Sequence, residues 1–234
     1  MVVLYDDLDV NASILLDLPF REGGGTLTHD VAPPHHAFSM VATPTWTTLA
    51  SGLQVIDFNG INEYMQEEVL GETADLDFTS GDYSLSVWFK YTDTSITYII
   101  MGRYELSVSG WELYVTSDGG GTATITLRHN HGTDASVRTA CYSTGWLEDT
   151  WYHLGVSRDG GTAQHYRNGV AVTTTHSVGG LLDPDTCAQD MVIGVRYTKN
   201  INFFDGQMWR PRVWNRALSA QEWKIIYDSE VKWF

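Results

Sequence analysis

Apolar and polar residues alternate with a period of two over short stretches of this chain, the pattern of β-strands that lay one face on a core. From Tyr83 to Tyr91 the alternation puts Tyr83, Leu85, Val87 and Phe89 on one face and Ser84, Ser86, Trp88 and Lys90 on the other. From Thr122 to Arg128, Ala123, Ile125 and Leu127 interleave with Thr122, Thr124, Thr126 and Arg128. Further strands are predicted at 13–20, 53–58, 97–101, 111–116, 151–157, 163–172, 191–196 and 206–214. Between them lie turn-forming runs: Asp118-Gly119-Gly120-Gly121, Arg158-Asp159-Gly160-Gly161 and the hairpin signal Asn168-Gly169. Hairpin connections therefore dominate, and no repeat of 20 to 50 residues suggests a propeller or solenoid. The one helical signal is at the C-terminus. Ser219-Ala220-Gln221-Glu222 has capping-box spacing, Leu218 and Trp223 occupy hydrophobic-staple positions, and the helix is predicted over about 220–228.

These elements make an all-β sandwich of two antiparallel sheets with one short helix, and 234 residues suit a single domain, 1–234, with residues 1–12 as an N-terminal extension. Fourteen Lys and Arg against 29 Asp and Glu leave a net charge of −15, which repels phosphate backbones and anionic membranes. Nucleic acid is not an expected partner, and no apolar run is long enough for membrane insertion. The N-terminus lacks the basic and apolar regions of a signal peptide, so the expected location, extracellular or on a virion surface, implies either an export segment that has been removed or release without a signal, as of phage components at host lysis. Cys141 and Cys187 are equally compatible with one disulfide and with two thiols, and Asn11-Ala12-Ser13 is a chance-level glycosylation match.

Several segments, taken in order, resemble the laminin-G-like family of concanavalin A-like jelly rolls. Leu16-Asp17-Leu18-Pro19-Phe20 looks like its opening strand, Asp57-Phe58-Asn59-Gly60 with Asn62 and Tyr64 like its turn, and Tyr83 to Lys90 like its Trp-containing strand. Trp151-Tyr152-His153 through Arg158-Asp159-Gly160, the hairpin Tyr166 to Val170, Phe204-Asp205-Gly206 and Arg212 to Ser219 complete the series. The resemblance implies the jelly-roll fold across most of the chain. It leaves the function open, because that scaffold carries lectins, glycanases, lyases and structural modules.

The chemistry must therefore come from sites. The Glu-x-Asp-x-x-Glu strand of jelly-roll glycanases is absent, the pairs Asp7/Asp9 and Asp75/Asp77 fall in loop-forming stretches as solvated carboxylates, and no Gly-x-Ser-x-Gly elbow occurs. His35 and His36 follow a Pro-Pro turn, and His129-Asn130-His131, with Asp134 nearby, reads as a polar loop; all are expected to be exposed. The resemblance implies a calcium site built from an early Asp-rich loop and a late strand Asp. Here the early loop is Asp30-Val31-Ala32-Pro33-Pro34-His35, and Trp209 stands in the place of the strand Asp. No cofactor is required on this reading, and Asp30 is left as a weak calcium ligand at most.

Candidate ligand contacts are Trp209, as a stacking or anchoring indole in place of the Asp, and Trp88, which either lines the concave sheet face or belongs to a second apolar layer. The loop Arg196 to Phe204 adds Tyr197, Lys199 and Asn200, a mixture suited to polar ligands with apolar ring faces. The sequence thus points to a non-catalytic surface module that binds glycan or protein, as a phage virion decoration or adhesion protein or through homo-oligomer or capsid contacts. The alternative is a polysaccharide hydrolase or lyase on the same scaffold.

Overall fold

The computed structural model describes residues 9–92, 96–132 and 138–234. Among them run seventeen strands and one α-helix: β1 (Ile14–Asp17), β2 (Leu27–His29), β3 (Ala37–Val41), β4 (Thr45–Thr48), β5 (Gln54–Asn59), β6 (Tyr64–Glu67), β7 (Tyr83–Tyr91), β8 (Thr97–Glu105), β9 (Ser109–Ser117), β10 (Thr122–His131), β11 (Arg138–Leu147), β12 (Tyr152–Asp159), β13 (Thr162–Arg167), β14 (Val170–Ala171), β15 (Thr175–His176), β16 (Val192–Ile193), β17 (Asp205–Trp214) and α1 (Ala220–Glu230). The strands form two antiparallel sheets. One has the order β14-β13-β12-β7-β17-β5-β4, with β1 also paired to β17, and the other β15-β11-β10-β9-β8-β16-β6-β3-β2. This is a jelly-roll sandwich in which strands from the two ends of the chain pair directly.

The core forms where the apolar phases of the two sheets meet. Leu85, Val87, Phe89, Leu154, Val156 and Met208 of the eight-stranded sheet face Trp111, Leu113, Val115, Ile125, Leu127 and Trp146 of the nine-stranded one, all fully buried. Burial of side chains this large stabilises by about 1.5–3 kcal/mol each. The predicted alternation of β7 holds in direction, but its second face is not solvated. Ser84, Ser86 and Trp88 are as buried as Leu85 and Val87, because α1 and the C-terminal residues cover them. A second apolar cluster of Ile14, Tyr166, Trp214, Leu218, Trp223 and Ile226 lies in that layer.

Short hydroxyls on the sheet make this close packing possible. Ser157 Oγ donates to the Leu218 carbonyl at 2.7 Å and accepts the Trp223 indole N–H at 2.8 Å. The Trp223 ring lies on Gly155, where a Cβ would stand only 2.7 Å from it. The capping box is present: Ser219 Oγ accepts the Glu222 N–H and Glu222 accepts the Ser219 N–H, and Leu218 and Trp223 are both buried. The other end of α1 is held by charge. Glu230, 3% exposed, accepts from Arg210 at 2.8 Å, from Arg212 at 2.9 and 3.0 Å, and from the Trp88 indole at 2.7 Å.

Several expectations need correction. The segment 191–196 contributes a strand of only two residues, β16, before the chain turns into a loop. The segment 138–147, in which no strand was predicted, is the long strand β11. His129 and Asn130 are not in a loop but in β10 and are fully buried; His129 Nδ1 bonds the Leu182 carbonyl and Nε2 the Tyr83 hydroxyl. His36 is buried and bonds Asp75 at 3.3 Å, and Asp77 accepts the Cys187 N–H, so neither carboxylate is merely solvated. Cys141 and Cys187 are two separate buried thiols. From Asp9 onward the N-terminal extension packs on the fold, with the Val10 carbonyl accepting the Trp214 indole; Asp7 and Asp134 lie outside the described residues.

Candidate functional site

The polar phase of the nine-stranded sheet faces away from the core, and its register brings unlike side chains into rows. One row runs Ala140, Arg128, Glu112, Gly102, Val192, Gln66 across β11, β10, β9, β8, β16 and β6. Beside it lie Tyr142, Thr126, Tyr114 and Ile99 on one side and Arg138, Asn130, Gly110 and Tyr104 on the other. Gly102 is required by close approach: a Cβ there would sit 2.8 Å from that of Glu112, so only glycine lets the Glu112 side chain lie across β8.

Arg128 pairs with Glu112, and its guanidinium lies 4.9 Å from the ring centres of both Tyr104 and Tyr114. A second arginine arrives from the loop after β16, placing Arg196 Nη2 3.8 Å from the same Glu112 oxygen. That loop is closed on itself by the Arg196 N–H to the Ile201 carbonyl and the Lys199 N–H to the Arg196 carbonyl. It is tied to the sheet by Lys199 Nζ on Gln66 Oε1 at 2.9 Å, Asn202 on the Thr97 carbonyl, and Phe203 against Tyr64. The loop forms one wall of the face and β9 to β11 its floor.

Charge on this face is opposite to that of the chain. Arg128, Arg138, Arg196 and Lys199 are four of its fourteen cations, and Glu112, 1% exposed, is the one carboxylate in these rows among the described residues. Burial raises the Tyr104 phenol above its usual pKa, opposed by the charges of Arg128, Arg138 and Arg196. Burial, aided by repulsion from Arg196 and Arg138, pulls Arg128 down to about 10, so it remains charged at neutral pH. Tyr142 is 39% exposed, and the Arg128 and Arg196 side chains keep 13% and 15% of their surface open.

The predicted site residues divide between two places. Lys199 lies at the rim of this face, with Tyr197 half-buried and Asn200 exposed in the same loop. Trp88 and Trp209 are register partners in the other sheet, under the C-terminal segment. Trp88 does not line an open face: it is 1% exposed, stacks on Phe234 at 4.0 Å and belongs to the second apolar layer. Trp209 is 6% exposed, donates its indole N–H to the Pro19 carbonyl, and lines a cleft of about 410 Å³ with Phe20, Leu53, Arg210 and Trp233. That leaves too little ring for a sugar to stack on.

Asp30 is 4% exposed and staples two segments. Its Oδ1 accepts the N–H groups of Asp17 (2.7 Å) and Ala32 (2.8 Å), and Oδ2 that of His36 (3.3 Å). Burial raises its pKa to about 6 against those bonds. Among the described residues no group of three or more His, Cys, Asp and Glu is arranged to hold a metal ion. Sequence reasoning singled out the loop that carries Arg196 but missed Arg128, Arg138, Glu112, Tyr104, Tyr114 and Tyr142. The alternation of β10 exposed Thr126 and Arg128, but without β11 and the strand order nothing showed that these residues face one another.

Known proteins with this fold include the receptor binding domain of botulinum neurotoxin D, at 14% identity and TM-score 0.67, over 95% of this chain and 54% of that one. The serotype D ligand binding domain in complex with N-acetylneuraminic acid superposes at 0.68, with 14% identity, over 94% and 52%. The binding domain of Paraclostridial Mosquitocidal Protein 1 does so at 0.68, with 12% identity, over 94% and 53%. These likenesses are of fold, and the chain spans about half the length of each of those domains. No curated protein matches the sequence. The pattern that defines the concanavalin A-like lectin/glucanases superfamily matches residues 67–222, a span that contains β8 to β11 and the 194–204 loop, and the chain belongs to that superfamily.

Proposed function

We propose that this chain is a non-catalytic carbohydrate-binding module, presented outside the cell or on a particle surface, that takes glycan on the outer face of its nine-stranded sheet. The observation that carries the reading is the row Tyr142, Thr126, Tyr114 beside Arg128 and Arg196. A half-open tyrosine offers an apolar ring to the C–H face of a sugar, while the hydroxyl, amide and guanidinium groups around it meet the sugar hydroxyls. Supporting it, domains with this fold are described as binding N-acetylneuraminic acid and ganglioside, although they are about twice as long.

Glycoside hydrolysis requires two carboxyl groups roughly 5–10 Å apart across the bond that breaks. Glu112 has no such companion in these rows among the described residues, and its Oε1 is shared by Arg128 and Arg196. The polysaccharide hydrolase reading therefore lacks its machinery on this face.

The test is glycan-array binding of the purified chain and of Tyr142→Ala. Binding to a defined glycan set, weakened about fivefold or more in Tyr142→Ala at unchanged thermal stability, is the expected result. A correctly folded chain that binds no glycan would overturn the proposal.

A further inference from the structure

The carbohydrate reading leaves one property of the face unexplained, which is its excess of positive charge. A neutral sugar needs donors and acceptors in similar number, yet two guanidiniums share one oxygen of a buried carboxylate, and one of them lies over the Tyr104 and Tyr114 rings. Nε of Arg128 and Nε of Arg196 are buried without a hydrogen-bond partner, so the cluster holds more donors than its surroundings use. Like charges at this spacing repel, and such repulsion is tolerated where an anion relieves it.

Resting on the carbohydrate-binding reading, we infer that the ligand is an acidic glycan whose carboxylate or sulfate oxygens dock between Arg196 and Arg128, with an adjoining sugar ring against Tyr142. Guanidinium groups pair with such oxyanions in a two-pronged geometry that an ammonium group cannot reproduce. The size of the anion is limited by the rest of the molecule. At a net charge of −15, the chain as a whole repels extended polyanions, so the face suits a sugar chain with spaced acidic groups rather than a nucleic acid.

The experiment compares matched pairs of oligosaccharides by titration calorimetry: a uronic- or sialic-acid oligosaccharide against its carboxyl-reduced form, and a sulfated oligosaccharide against its desulfated form. Each is titrated into the native chain, Arg196→Gln, Arg196→Lys and Tyr142→Ala. Arg196→Gln leaves the Arg128–Glu112 pair in place and is therefore expected to fold normally. The expected result is that one acidic member binds at least tenfold more tightly than its neutral counterpart. Arg196→Gln then loses about tenfold for the acidic member alone, Arg196→Lys falls between, and the responding pair shows whether carboxylate or sulfate is preferred.

Equal affinity for the acidic and neutral members would overturn the inference and leave the carbohydrate-binding function standing. Acid-dependent binding that Arg196→Gln does not weaken would place the anion elsewhere and overturn it as well. Failure of every oligosaccharide to bind would overturn both.

Discussion

Glu230 is the last residue of α1, and its carboxylate is the point at which the C-terminal layer is fixed to the eight-stranded sheet. Four donors converge on it, two from Arg212, one from Arg210 and the indole N–H of Trp88, while Arg210 also forks onto Asp17 at 2.9 and 2.8 Å. Two guanidiniums thus balance two carboxylates, with Glu230, Asp17 and Arg212 all 3% exposed or less. Glu230→Gln keeps the shape and removes one charge, which leaves a buried guanidinium uncompensated and turns an amide N–H₂ toward existing donors. Breaking one partner of a buried pair costs about 3–5 kcal/mol. For a domain of this size that corresponds to a fall in Tm of roughly 6–20 °C.

The assay is urea and thermal unfolding of the native chain, Glu230→Gln, Arg212→Met and the double variant, with indole fluorescence reporting on Trp88 beneath the helix. Because the cost comes from a stranded charge, the double variant is expected to be more stable than the sum of the two single losses implies. A Glu230→Gln protein within about 1 kcal/mol of the native one, or strict additivity in the cycle, would refute the argument that this carboxylate clamps the helix.

Three further outcomes follow from the same structure. Gly155→Ala places a methyl group against the Trp223 ring and is expected to destabilise by about 1–3 kcal/mol in chemical unfolding; a neutral result would mean that α1 does not sit so close to β12. Burial depresses His129 from 6.5 to about 4, so its neutral form contributes stability that is fully present above pH 6.5 and is lost as pH falls toward 4. The stability profile of His129→Gln over that window should be shallower than that of the native chain by about 3 kcal/mol, whatever the offset between the two, and parallel profiles would contradict it. Addition of EDTA is expected to change neither Tm nor glycan binding, since the Asp30 carboxylate is occupied by backbone N–H groups; a loss of either would reveal a bound cation.

Read alone, the sequence determined the fold class and the C-terminal helix. A two-residue alternation fits a strand, whose successive side chains point to opposite faces, and a Ser-x-x-Glu box bracketed by Leu218 and Trp223 sets a helix start through purely local bonds. These signals lie within a few residues of each other and need no partner. Tertiary structure decided everything that depends on which strands are neighbours. Whether Trp88 lines an open face or a second apolar layer is undecided until α1 and Phe234 are laid over it. Arg128, Glu112 and Arg196 are separated by 16 to 84 residues and become one cluster only when β9 and β10 pair and the 194–204 loop folds onto the sheet. His129 is polar and lies near a turn, yet it is buried because its two ring nitrogens find the Leu182 carbonyl and the Tyr83 hydroxyl, groups that the linear pattern cannot bring to it. Periodicity tells which face of a strand a side chain occupies, whereas the burial and company of that face are set by long-range pairing, and in this chain the candidate binding surface is made of such pairings.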